Sequence, residues 1–164
     1  MSARVSLLDT SVWSRLRDGR IAGERGRGLA ERIERGELAT CEPLILEMRY
    51  SARESKDFTM LAEELDSLPL LTLDGAAVQR ALDAQAQLAE DRRVSHRVKP
   101  IDLLVAGVAD RHGAAVLHYD GDYDVIAKHA DLSFRSVWAF KRGLRKVGDE
   151  VEKALAILYP WRQR

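Results

Sequence analysis

The sequence predicts an α/β fold, a parallel sheet with helices on both faces, and three observations lead there. Short apolar runs recur at Val5–Leu8, Leu38–Cys41, Leu70–Leu73, Ala114–Tyr119 and Phe134–Trp138, each of strand length. Stretches of helical periodicity separate them and are long enough to carry the chain back across a sheet, which is the signature of parallel pairing. Aspartates stand directly behind apolar runs at Asp9, Asp74 and Asp120, where open α/β sheets build their sites.

At 164 residues the chain fits one domain with room for a real core. Its apolar fraction of 46% is ordinary for a globular protein. Lys plus Arg equals Asp plus Glu at 26 each, so net charge points to no class of partner. The single cysteine, Cys41, excludes an intramolecular disulfide and fits a reducing cytosol. Val5–Leu8 is too short for a signal peptide, and no run approaches the roughly 20 apolar residues of a membrane helix. A soluble, cytoplasmic protein is expected.

In chain order, Val5–Leu8 predicts a strand that exits at Asp9, followed by Thr10, Ser11 and a helix opening near Val12–Trp13. Asp9 has two readings here, a helix cap or a site carboxylate. Arg15, Arg17, Arg20, Arg25 and Arg27, interleaved with Gly19, Gly23, Gly26 and Gly28, read as a basic, flexible segment suited to phosphate. A helix is expected over Leu29–Arg35, capped by Gly36. The strand Leu38–Cys41 leads into a helix from Glu42–Pro43, with Leu44, Ile45 and Met48 inward and Glu47 beside that face, either solvated or part of a site. Phe58–Leu68 predicts an amphipathic helix broken by Pro69, and Leu70–Leu73 a third strand. Asp74 is most simply the N-cap of the alanine-rich helix that follows to about Arg92, and is left out of the site.

The loop from Arg92 to Lys99 is basic. Pro100-Ile101-Asp102 opens a helix apolar on most sides, which places it in the core. At that helix start the macrodipole favours an anion and is expected to depress the Asp102 pKa; stability or a site would each account for the acid. Gly113 ends the helix. The run Ala114–Tyr119 then meets Asp120, Asp122 and Asp124, with a short helix from Val125 and a last strand over Phe134–Trp138. From Ala139 the chain turns basic, and Leu144, Val147, Val151, Leu155 and Leu158 at helical spacing predict a C-terminal helix packed on the domain or on a partner.

In a parallel sheet all strand exits share one edge, so Asp9 and Asp120 emerge together and Glu47 and Asp102 enter from helices that begin there. Four carboxylates in one crevice repel by about 4 kcal/mol per pair at ~4 Å and an effective dielectric of 20. Protonation or a divalent cation would relieve this; the cation is the working reading, and hard oxygen ligands suit Mg²⁺ or Mn²⁺. An EF-hand is excluded, since its Gly and Glu positions hold Val125 and Asp131. No Gly-x-Ser-x-Gly elbow, Walker A or dinucleotide motif occurs. His112 and His118 read as structural; His96 lies in the basic loop, where RNA contact is conceivable.

Four stretches, Leu7–Ser11, Leu46–Arg53 around Glu47, Lys99–Ala106 around Asp102, and His118–Ala127, together resemble the PIN-domain motifs, in detail those of VapC toxins of bacterial toxin–antitoxin pairs. The likeness spans about Val5 to Trp138. It implies a PIN-like three-layer α/β/α sandwich with a central, mainly parallel sheet, over a nuclease domain of residues 1–140. Residues 141–164 remain as a basic C-terminal extension without a family role. It further implies that Asp9, Glu47, Asp102 and Asp120 bind Mg²⁺ (or Mn²⁺) and are catalytic, with Asp122 as an additional ligand. Thr10 and Ser11 would orient a water or carboxylate beside the metal, while Asp124 is given no role. The activity implied is hydrolysis of RNA phosphodiester bonds by metal-activated water. Arg15, Arg20, Arg97 and Lys99 are the expected RNA-backbone contacts. A VapB-like antitoxin covering the cleft and a homodimer are the implied partners. A non-catalytic PIN-like module that holds RNA or protein is the alternative. A receiver-type phosphoacceptor is disfavoured, because only Asp9 follows the first strand where that fold needs a pair of acids.

Overall fold

The first three strands in chain order are buried on both faces, which is why their sequences are largely apolar without alternation. The structure is a computed structural model that describes residues 5–21, 23–95 and 97–140. Its strands are β1 (Ser6–Leu8), β2 (Leu38–Ala39), β3 (Ala115–His118) and β4 (Arg135–Trp138). The helices are α1 (Thr10–Arg17), α2 (Gly23–Glu34), α3 (Glu42–Tyr50), α4 (Ser55–Asp66), α5 (Gly75–Glu90), α6 (Pro100–His112) and α7 (Asp122–His129). The sheet order is β2-β1-β3-β4 with every pairing parallel, as predicted.

Alternate residues of β1, β2 and β3 enter different cores. Leu7, Ala39 and Val116 join the apolar faces of α5, α6 and α7. Leu8, Leu38 and Leu117 join Val12, Trp13 and Leu16 of α1, Leu29 of α2 and Leu65 of α4 on the other side. Helix α3 contributes to both, through Leu44 and Met48. A buried leucine contributes about 1.5–3 kcal/mol, so the two cores hold the sheet between helical layers and fix the strand register.

Three expectations need correction. Leu70–Leu73 forms no strand: it makes one isolated parallel bridge, Thr40 to Leu70. Its next free amide, on Leu73, donates instead to the Glu42 carboxylate at 2.8 Å, and the chain runs into the Asp74 cap. The basic segment behind Asp9 is largely helical in its described residues. Gly19 and Gly23 take the positive φ of turn residues (68° and 62°), while Gly26 and Gly28 lie within α2. Helix α2 therefore starts six residues before the expected Leu29. Helix α7 begins at Asp122, so Asp122 and Asp124 form its first turn rather than a loop before it. As predicted, Asp74 caps α5 by accepting from the Ala77 amide at 2.8 Å, and Gly113 ends α6 in the left-handed conformation. No helix among the described residues is long and apolar enough to cross a membrane. The proposed extension over 141–164, and His96, lie outside the described residues.

Helices α5 and α6 cross closely because Gly107 lacks a side chain: a Cβ there would sit 2.4 Å from the Ala77 carbonyl oxygen. Gly107→Ala is therefore expected to lower stability by about 1–3 kcal/mol through overpacking. Gly28→Ala, which would meet nothing within 4 Å, should raise it by roughly 0.5–1 kcal/mol. Urea unfolding of both variants checks the contrast, and equal effects would show that the crossing has slack.

Candidate metal centre

Strand order reverses between β1 and β3, which makes their carboxyl ends the expected place for a site. Asp9 leaves β1 there and caps α1, while Asp120 lies just past β3. Asp102 occupies the first turn of α6, and Asp122 that of α7.

Asp102, Asp120 and Asp122 converge: one carboxylate oxygen from each lies within 4.8 Å of the others. Asp9 adjoins them through Tyr123, whose hydroxyl donates to Asp9 Oδ1 at 2.6 Å and lies 3.4 Å from Asp102 Oδ1. The second Asp9 oxygen accepts the Ser11 amide at 2.9 Å and the Ser11 hydroxyl. The Ser11 Oγ in turn accepts the Tyr119 amide at 2.8 Å, tying α1 to the exit of β3. Glu47 is not a member of the three-acid group. It is held on the α1 side, where the Thr10 hydroxyl donates to it at 2.7 Å. A groove of about 750 Å³ borders it, lined by Thr10, Arg17, Tyr50, Arg53 and Asp57 among others.

Burial pushes the Asp102 carboxyl up to about 7; Lys99 pulls the other way, and Asp9, Asp120 and Asp122 add repulsion. The depressed pKa expected at the α6 N-terminus is thus corrected. A helix dipole favours an anion there by only about 0.3–1 kcal/mol, and the side chain is 4% exposed. Burial also acts on Asp120, but hydrogen bonds from Lys99 Nζ (2.6 Å) and the Asp122 amide (3.1 Å) outweigh it and leave its pKa lowered. Burial, with Asp9 and Asp102 alongside, drives the Tyr123 phenol well above its ordinary range, so it remains a donor.

The donor set fits a hard divalent cation. The converging groups are all carboxylates, without cysteine or histidine. Asp102 Oδ2 is buried and accepts no hydrogen bond, which leaves a lone pair aimed into the cluster for a ligand.

Of the expected RNA contacts, Arg15 lies beside the exit of β3. Its guanidinium lies 4.1 Å over the Tyr119 ring and donates to the Ser11 carbonyl at 2.5 Å. Arg20 pairs with Asp18 at 2.6 Å on the surface, and Arg97 is exposed. Lys99 lies among the acids rather than on a separate basic face. Sequence reasoning missed Tyr123 because its partners are distant in the chain; the only local sign was its place between Asp122 and Asp124. The structural reading of His118 holds, since its ring is buried with both nitrogens hydrogen-bonded. That ring accepts the Asp120 amide on Nδ1 at 3.1 Å, so Nε2 carries the proton and donates to Ser136 Oγ at 2.6 Å. Ser136 donates onward to Asp124, which also accepts the Trp138 indole at 2.7 Å.

The sequence profile of the PIN domain matches residues 6–129. Ribonuclease VapC18 of Mycobacterium tuberculosis (strain ATCC 25618 / H37Rv) is 34% identical over 140 residues, covering 85% of this chain and 98% of that protein. The VapC ribonuclease Mb1587 of Mycobacterium bovis is 36% identical over 133 residues, covering 79% and 97%. In three dimensions the fold is similar to DNA-bound VapBC from Salmonella typhimurium, with a TM-score of 0.65, 19% identity, and coverage of 84% and 99%. It is also similar to FitAcB from Neisseria gonorrhoeae, with a TM-score of 0.62, 16% identity, and coverage of 84% and 99%. With the acids gathered at the sheet's switch point, these matches show that the chain belongs to the PIN-domain family, among the VapC proteins.

Proposed function

We propose that this protein is a Mg²⁺- or Mn²⁺-dependent endoribonuclease that acts in the cytoplasm as the toxin of a VapBC pair. The observation that carries the reading is the convergence of Asp102, Asp120 and Asp122 beside Asp9, with one buried carboxylate oxygen that accepts no hydrogen bond. The names of the relatives, ribonucleases of the VapC type, support the choice of RNA. In the same reading the protein pairs with a VapB-like antitoxin, as in the VapBC assemblies of similar fold, and forms a homodimer.

Asp9, Asp102, Asp120 and Asp122 would hold the cation, with Glu47 contributing from the α1 side. Bound there, Mg²⁺ or Mn²⁺ supplies Lewis acidity and charge stabilisation for phosphodiester hydrolysis. The chain's own part is orientation. Ser11 and Tyr123 fix the two oxygens of Asp9, Thr10 fixes Glu47, and the Asp122 amide and Lys99 fix Asp120. Arg15, Arg20, Arg97 and Lys99 supply positive charge for the RNA backbone.

Incubation of the purified full chain with RNA is expected to give cleavage in Mg²⁺ or Mn²⁺ and none in EDTA. Asp9→Asn and Asp102→Asn should each reduce the rate by on the order of 100-fold or more, with the circular-dichroism spectrum unchanged. Cleavage that survives EDTA, or Asn variants as fast as the wild type, would refute the site. Binding of RNA without cleavage in either metal would favour the non-catalytic module instead.

A second expectation follows from the raised Asp102 pKa. The folded state holds this proton up to about pH 7, whereas the unfolded carboxyl releases it near its ordinary value of about 4. Between those values the folded state binds more protons, so stability without metal falls as pH rises from about 4 to 7. Asp102→Asn removes that slope. In EDTA it should raise the melting temperature at pH 8 and leave it nearly unchanged at pH 4.5, measured by thermal unfolding. A stabilisation equal at both pH values would show that Asp102 does not titrate in this range.

A further inference from the structure

We infer that Lys99 is a built-in counterion that occupies the cation seat of the acidic cluster and is exchanged for the divalent metal. The inference rests on the metal-site reading above and adds to it a competitor carried by the chain itself. Lys99 Nζ lies 2.6 Å from Asp120 Oδ2 and 3.7 Å from Asp102 Oδ2, bridging two of the three converging acids. The second of these oxygens accepts no hydrogen bond, so the ammonium gives it charge but not full satisfaction.

The rest of the residue is suited to leaving. Its side chain is 58% exposed, so only the charged tip is committed to the cluster. Lys99 stands at the N-cap of α6 and makes no side-chain cap bond. A four-carbon stem with a compact charge can turn to solvent without moving the backbone. A lysine ammonium and a divalent cation repel at this range and seek the same carboxylate oxygens, so they do not share the seat. Entry of the metal therefore releases the ammonium to the rim of the cleft, where the charge faces an incoming phosphodiester rather than the acids. Metal-free, the cluster is neutralised in part by its own lysine; metal-loaded, the same lysine becomes available to substrate.

The test is calorimetric titration of Mn²⁺ into the metal-free full chain at pH 8, with wild type, Lys99→Met, Lys99→Arg and Asp102→Asn, together with thermal unfolding of each in EDTA. Lys99→Met removes the competitor and is expected to bind Mn²⁺ about tenfold more tightly. In EDTA it should unfold at a lower temperature than the wild type, because the acids have lost their counterion. Lys99→Arg should stay close to wild type in both measurements, which a role in packing alone would not explain. Mn²⁺ affinity in Lys99→Met that is unchanged or weaker, with Asp102→Asn still losing the metal, overturns the exchange and leaves the metal site standing. So does a Lys99→Met protein no less stable than wild type in EDTA. Asp102→Asn binding Mn²⁺ as tightly as the wild type overturns the site and the inference together.

Discussion

Like charge gathered at one sheet edge is the constraint that the surrounding residues answer to. Asp9, Asp120 and Glu47 are each met by donors. Asp9 accepts from Ser11 twice and from Tyr123, Asp120 from Lys99 and the Asp122 amide, and Glu47 from Thr10. Hydrogen bonds to a charged group contribute about 1.5–3 kcal/mol each, comparable to the repulsion between neighbouring carboxylates. The exception is Asp102, whose closest donors are the Tyr123 hydroxyl at 3.4 Å and the Lys99 ammonium at 3.7 Å. Asp122 is more exposed, so the electrostatic deficit of the site is concentrated on the buried Asp102, and a bound cation would have most to gain there.

Packing far from the acids decides where they stand. Leu7 and Leu8 face opposite cores, as do Val116 and Leu117. A slip of one residue in β1 would turn each leucine toward the wrong layer. The register Leu7 to Val116 and Leu8 to Leu117 is fixed by that preference, and the Asp9 amide extends the ladder one step to the Leu117 carbonyl at 3.0 Å. Asp9 is thus positioned by apolar burial on its N-terminal side and by α1 on the other. The close crossing at Gly107 does the same for α6, and so for Asp102.

What could be read from the sequence followed from how local its cause was. The apolar runs of β1, β2 and β3 needed no partner to be recognised, since burial on both faces leaves its mark in every residue. The same holds for the Asp74 cap and the Gly113 terminus, where the signal lies within three residues of the effect. The failures had distant causes. Leu70–Leu73 has strand composition, but a carboxylate some 30 residues earlier takes its amide. Gly26 and Gly28 read as part of a flexible segment, whereas Gly26 packs near the Ile21 carbonyl and both lie inside α2. That Asp9, Asp102 and Asp120 share one edge was legible because the motif order and the parallel sheet imply it, whereas Glu47 stands outside the converging group. The electrostatics of the site were not legible, because burial of Asp102 depends on every layer around it.

Burial acts on two groups at this edge with opposite effects on pKa and one effect on charge. It raises Asp102 toward neutrality and lowers His118, whose ring is fully buried between Tyr123 and Trp138. The second shift matters as much as the first. His118 Nδ1 can accept the Asp120 amide only while it carries no proton; an imidazolium would set an N–H against an N–H and release the turn that presents Asp120. Its other nitrogen is committed through Ser136 to Asp124, an acid that takes no part in the cluster and yet anchors one that does. The low-dielectric pocket that leaves Asp102 short of partners is thus also what keeps the Asp120 turn in place.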